Sequence, residues 1–320
     1  MLKNGFVIGN IVLRAAAVFC LLAAFSIAQQ PAEKQPLAPG SPQDLVQQGD
    51  KLEREGKLDD ALALYGRALD KSPDLYEAHL SSGIALDLKG NYSDAREHLA
   101  KAIEVAPADS KPQALRAMAI SYAFEGDTFK AAGFETQVLN ARLAKNDSVG
   151  AAELCNELGR IYLEAGDPDH AEKWYKMAYN TIAHKSDLND ADKNLWLFRW
   201  ENAQARIAAR RGKADEARQH VAAAKDALDK ANNPDQMRFY PYLTGYVAFY
   251  TGDYKTAIAE LQKADQHDPA TLALLGEAYE KLGDAAQAKT YYQKVLEAYA
   301  HNPANAFARP LATKKLNSGG

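Results

Sequence analysis

The sequence is short of most of what chemistry needs. Only two cysteines occur in 320 residues, Cys20 and Cys155. Cys20 lies in an N-terminal segment that reads as removable, so Cys155 stands alone and no internal disulfide is expected. Cys155 sits four residues before Gly159 on the inward face of a helix, where a small buried hydrophobe is a better reading than a reactive thiol. There is no GxGxxG, P-loop, CxxC, HExxH or GxSxG motif. The seven histidines are scattered singly, which argues against a metal site. The run Asp187-Leu188-Asn189-Asp190-Ala191-Asp192 starts like a calcium loop but lacks the glycine and the distal glutamate. It reads as a polar connection in which Asp190 or Asp192 caps a helix. Positive charge is also short. The formal charge is −4, and removing Lys3 and Arg14 with the N-terminal segment leaves 36 basic against 42 acidic residues, or −6. A nucleic-acid partner would need a basic footprint, so none is expected. No pair of carboxylates stands out as a general acid and base. No segment alternates with the period of two that a half-buried strand requires. The chain is therefore expected to be all-α and not an enzyme, with no cofactor and no metal.

What is present begins with targeting. Residues 1–28 read as a signal peptide. Lys3 and Arg14 give a basic start, Ala15 to Ala28 carries no charge, and Ser26 and Ala28 are small residues at the spacing a signal peptidase reads. The uncharged run is shorter than the ~20 residues that span a bilayer. The expectation is export, to the periplasm or beyond. The alternative is an inner-membrane anchor through residues 5–28, and only that would bring membrane contact. Phe19 ahead of Cys20 is too bulky for lipoprotein processing. Residues 29–42 form a linker rich in proline, with Pro31, Pro36, Pro39, Gly40 and Pro42.

From residue 43 to 303 the chain repeats. Gly49, Leu52, Gly56, Ala61, Tyr65, Ala68 and Pro73 are followed 34 residues later by Gly83, Leu86, Gly90, Ala95, Leu99, Ala102 and Pro107. A glycine followed five residues on by alanine recurs seven times: Gly56/Ala61, Gly90/Ala95, Gly126/Ala131, Gly166/Ala171, Gly212/Ala217, Gly252/Ala257 and Gly283/Ala288. Seven residues before each glycine stands another small residue, which lets two antiparallel helices approach closely. At these residues the chain resembles the tetratricopeptide repeat (TPR) family. The resemblance implies a right-handed α-solenoid of about seven helix–turn–helix units. The turn glycines are spaced by 34, 36, 40, 46, 40 and 31, so extra residues fall between units at Leu143–Gly150, His184–Lys193 and Asp229–Arg238. Residues 304–320 read as a tail that caps or trails from the last helix.

In the resembled family, first-helix side chains line a concave groove that accepts a peptide or a partner helix. Carried onto this chain, the groove positions are Arg116 in the third unit, Asn156 and Arg160 in the fourth, Asn202 and Arg206 in the fifth, and Tyr242 and Tyr246 in the sixth. The Asn–x3–Arg pair recurs in two successive units, with both residues on one helix face. Arginine offers a rigid fork of donors to carboxylates, and tyrosine offers area with a polar end. The expected partner is a protein or peptide, acidic or bearing a C-terminal carboxylate. The family's carboxylate clamp is not carried over, because Val46 and Asp50 stand in the first unit where that clamp has basic and amide residues. Two alternatives stay open. The arginines could pair with Glu153, Glu157 or Glu201 and only solvate their helices. The fifth unit could also sit one residue out of phase, with Trp200 inward and Asn202 and Arg206 turned away. The function expected is a non-catalytic interaction scaffold in the cell envelope, with a self-assembling structural subunit as the alternative.

Overall fold

The structure, a computed structural model, describes residues 37–183 and 185–318. The signal segment, the possible anchor through residues 5–28 and most of the linker lie outside the described residues. The described residues hold sixteen helices and no strand. Seven helical hairpins follow in order: α1 (Pro42–Arg54) with α2 (Leu58–Lys71), α3 (Tyr76–Lys89) with α4 (Tyr92–Val105), and α5 (Lys111–Phe124) with α6 (Thr128–Ala144). Then come α7 (Ser148–Glu164) with α8 (Pro168–Ala183), and α9 (Asp190–Arg210) with α10 (Ala214–Ala231). A one-turn helix, α11 (Pro234–Met237), precedes α12 (Tyr240–Tyr250) with α13 (Tyr254–Leu261) and α14 (Pro269–Lys281) with α15 (Ala285–Leu296). The chain ends in α16 (Pro303–Ser318).

The repeat pattern has a direct packing cause. All seven turn glycines have positive φ, from +73° to +88°. Gly90 shows why: at φ +88° it ends α3 in the left-handed region, which a side chain would strain. The small residue seven places earlier seats one large side chain from the second helix. A Cβ at Gly83 would stand 2.5 Å from Leu99 Cγ, and Leu99 is fully buried there. Tyr65 fills the same seat on Gly49, Tyr175 on Gly159, Leu261 on Gly245 and Tyr292 on Gly276. Burying each such side chain contributes ~1.5–3 kcal/mol.

The extra residues between units mostly lengthen helices. α6 runs 17 residues, α9 runs 21 and α10 runs 18. Asn232 in the left-handed region stops α10, and Asn233 caps α11 by accepting from the Asp235 and Gln236 amides. At the start of α9 the cap is Asn189, which accepts from the Asp192 amide at 2.8 Å, and not Asp190 or Asp192. Asparagine is the residue one step outside the helix, where the chain is still extended. The two aspartates fall inside the first turn, where their charge favours the helix dipole instead.

The stretch after residue 303 is helical and does more than trail. Asn302 Oδ1 accepts from the Asn305 amide and starts α16. α16 packs on α14 and α15, and also on α5 and α7. Arg309 Nε donates to the Leu88 carbonyl at 2.7 Å, and its Nη1 donates to Leu296 O at 2.9 Å and Ala298 O at 3.1 Å. His301 Nε2 lies 2.9 Å from Asp87 Oδ2, and Ser121 Oγ donates to Asp87 Oδ1 at 2.8 Å. Ala306 joins the core of the first three units, with Tyr299 and Phe307 packed on it. The C-terminal segment thus returns to the second and third units and closes the array on itself.

Candidate functional site

The first helices of the middle units surround one cavity of about 610 Å³. Six of the seven residues expected at the groove line it: Arg116 from α5, Asn156 and Arg160 from α7, Asn202 and Arg206 from α9, and Tyr242 from α12. Tyr246 does not. It is fully buried beneath the cavity, with its ring 5.8 Å from the Arg206 guanidinium carbon. One turn of α12 separates the two tyrosines, and the second faces the α13 core instead of the opening. The fifth unit is in phase. Asn202 and Arg206 face the cavity, while Trp200 stacks on Tyr179 with centroids 5.5 Å apart.

The arginines divide into two kinds. Arg116 is paired, with Nη2 donating to Glu157 Oε2 at 2.5 Å and Nε 3.9 Å from Glu135 Oε1. Its role in the cavity is therefore partly taken by carboxylates, as the alternative reading allowed for this residue. Arg160 and Arg206 have no ion pair among the described residues, and the Nε of each is buried without a hydrogen-bond partner. Arg206 is only 8 % exposed; its Nη2 donates to Tyr175 OH at 3.0 Å. Burial works against its charge, but the oxygens of Tyr175, Tyr242 and Tyr246, with Glu164, outweigh that and raise its pKa. Burial, reinforced by Glu164, pushes the Tyr242 hydroxyl well above its ordinary value against the pull of Arg160 and Arg206. Tyr242 therefore stays protonated at neutral pH, and its buried hydroxyl has no partner. The side-chain amides of Asn156 and Asn202 make no hydrogen bond among the described residues. The site gathers donors around one space whose lining also carries the carboxylates of Glu153, Glu157, Asp265 and Asp268, none of them within ion-pair distance of Arg160 or Arg206.

Beside it sits an acidic pair. Glu135 is fully buried, and its pKa is pushed up to about 8, first by burial and then by Glu157, with Arg116 pulling the other way. Neither Glu135 oxygen has a hydrogen-bond partner. Among the described residues no group of three or more metal-ligating side chains is close enough to hold a metal ion. Cys155 is fully buried, and burial pushes its thiol up to about 11, so it is an inert core residue.

Models described as tetratricopeptide repeat match residues 52–119, 154–188, 202–223 and 248–308, together over half of the chain. The chain belongs to the tetratricopeptide repeat family. No curated protein sequence matches it significantly. Among solved structures, a tetratricopeptide repeat protein from Parabacteroides merdae is similar with a TM-score of 0.51 at 14 % identity, covering 86 % of this chain and 97 % of that one. A Rap protein complexed with Competence and Sporulation Factor is similar with a TM-score of 0.51 at 13 % identity, covering 87 % and 76 %. At such identities the likeness shows the tetratricopeptide repeat solenoid and nothing finer. Proteins of this family are generally non-catalytic scaffolds for protein–protein interaction.

Some of the site was out of reach of the repeat positions. Arg199 lines the cavity from α9, stacked over Trp196 at 4.4 Å. It lies seven residues before Arg206, and that helical spacing could have revealed it. Arg238 and Phe239 come from the insertion after α10, and Asn302 to Ala304 from the chain end. Nothing local marks these; closure of the array brings them there.

Proposed function

We propose that this tetratricopeptide repeat chain is a non-catalytic scaffold that holds an anionic group of a protein or peptide partner in its concave cavity. The observation that carries the reading is the pair Arg160 and Arg206, two guanidiniums facing one space with no carboxylate paired to either. An acidic side chain or a C-terminal carboxylate supplies the two oxygens such forks accept. Asn156 and Asn202 add neutral donors from the same helix faces. A chain of this fold holding a partner has a parallel in the Rap protein, whose structure is that of a complex with Competence and Sporulation Factor. The envelope is the proposed setting, on the strength of the basic and then uncharged N-terminal sequence. End-to-end assembly is less favoured, because α16 packs on both α14 and α15, where a further unit would stack.

The test is affinity capture from envelope extract by the full chain beside the Arg160→Ala/Arg206→Ala double variant, with thermal melts to show that the variant folds. A protein retained by the wild type and lost by the folded variant supports the reading. A protein retained equally by both places the contact outside the cavity and overturns it. Mass measurement of the chain purified from the envelope fraction tests the setting: loss of residues 1–28 is expected, and an intact chain in the cytosol contradicts it.

A further inference from the structure

The cavity differs from an open groove in one respect. Its wall includes Asn302, Pro303 and Ala304, where the chain enters α16. That helix is fastened on both sides of the closure, by Arg309 to the Leu88, Leu296 and Ala298 carbonyls and by Asn305 Nδ2 to Ala298 O and Ala300 O, each at 2.9 Å. A peptide lying along the concave face would have to displace it. A compact molecule would not. The volume of about 610 Å³ falls in the ~300–1,000 Å³ range of small-molecule sites.

The lining then specifies the molecule. The donors are the guanidiniums of Arg160 and Arg206, the amides of Asn156 and Asn202 and the hydroxyl of Tyr242, drawn from three helices. Leaving a buried donor unmet is costly, more so when it is charged. The buried Nε of Arg160 and of Arg206 and the Tyr242 hydroxyl are in that condition. Phe198, Phe239 and Tyr175 supply aromatic surface beside them. Across the lining, Arg116, Arg160, Arg199, Arg206 and Arg238 stand against Glu153, Glu157, Asp265 and Asp268, so the surplus is a single positive charge, which favours a single negative charge over the two of a phosphate.

We propose that the cavity is a ligand site in its own right, for a free organic carboxylate with an aromatic body, its carboxylate held between Arg160 and Arg206. The proposal rests on the same cavity as the partner-binding reading, but it assigns the space to a small solute instead of to part of a protein.

Calorimetry on the full chain tests it with three aromatic carboxylates as probes, benzoate, indole-3-acetate and N-acetylphenylalanine, each beside its amide. A fourth probe is an acetylated hexapeptide ending in phenylalanine with a free carboxylate. At least one small acid is expected to bind tenfold or more tightly than its amide. Arg160→Gln should weaken it tenfold or more, and Tyr242→Phe severalfold. Tyr242→Phe keeps the ring and so tests the hydroxyl with the packing intact. Equal binding of acid and amide, no binding of any acid, or unchanged binding by a folded Arg160→Gln chain overturns the proposal. A hexapeptide that binds tenfold more tightly than every small acid also overturns it. In that outcome the arginine pair serves a chain end, and the partner-binding reading survives. Conversely, small acids that bind while partner capture is indifferent to the arginines leave the solute site standing and remove that reading.

Discussion

Gly66 and Gly83 both lie inside helices, and their surroundings assign them opposite substitution effects. Gly66 is exposed on α2 with nothing within 4 Å of the place a Cβ would take, whereas a Cβ at Gly83 meets Leu99 at 2.5 Å. Gly66→Ala should therefore stabilise the chain by about 0.5–1 kcal/mol, through helix propensity alone. Gly83→Ala should destabilise it by about 1–3 kcal/mol, because Leu99 must leave its seat. Chemical denaturation of the two variants checks the signs; shifts in the same direction would contradict the packing account. Glu135 gives a pH prediction. Its carboxyl rises from about 4.5 to about 8 on folding, so the folded chain holds the proton more tightly than the unfolded one. The stability it contributes is complete below about 4.5 and is lost as pH climbs through about 8. Glu135→Gln is neutral throughout and should remove that slope, being more stable than wild type at pH 9 by on the order of 1 kcal/mol or more, and closer to wild type at pH 4. Parallel stability curves across that window would show that Glu135 is not titrating as its burial requires.

At the level of the helix, α16 is the element whose behaviour is most open to test. Arg309→Ala removes the donors to Leu88, Leu296 and Ala298 and leaves the Leu88 and Leu296 carbonyls to solvent, while Ala298 O keeps its bond from Asn305 Nδ2. Amide exchange in 303–318 should then speed up by tenfold or more while α7 to α10 stay protected. Unchanged protection in α16 would mean that the buried Ala306, Ala308 and Ala312 hold it without the arginine. The hairpins themselves were legible in the sequence, because each needs a left-handed glycine at one place and a small residue seven positions earlier, and both leave fixed marks. Gly56, Gly126 and Gly212 could be placed in turns from spacing alone, and the structure gives them φ of +77°, +75° and +73°. Asn156, Arg160, Asn202 and Arg206 follow from laying the resembled family's groove positions on that register, which leaves the phase of the fifth unit open. Tyr246 was misplaced for a local reason. On α12 nearly every side chain is apolar or aromatic, so the pattern does not separate the face toward the opening from the face toward the core.

Over the whole chain, what the sequence could not disclose is the closure. Asp87 and His301 stand 214 positions apart and meet at 2.9 Å, and no periodicity links them. The same closure brings Asn302 to Ala304 to the cavity wall and adds a side to the expected groove, which stays partly open to solvent. A seven-unit array constrains each unit by its neighbours, so small departures in helix length, such as the 21 residues of α9, accumulate into where the ends meet. The chain is proposed to work by what it holds between Arg160 and Arg206. A crystal structure of the full chain with its captured partner tests that most directly. A partner carboxylate is expected within hydrogen-bond reach of both guanidiniums and of the Tyr242 hydroxyl. A partner seated instead on the outer face, for example over the exposed Phe129, with the cavity arginines untouched, would contradict it.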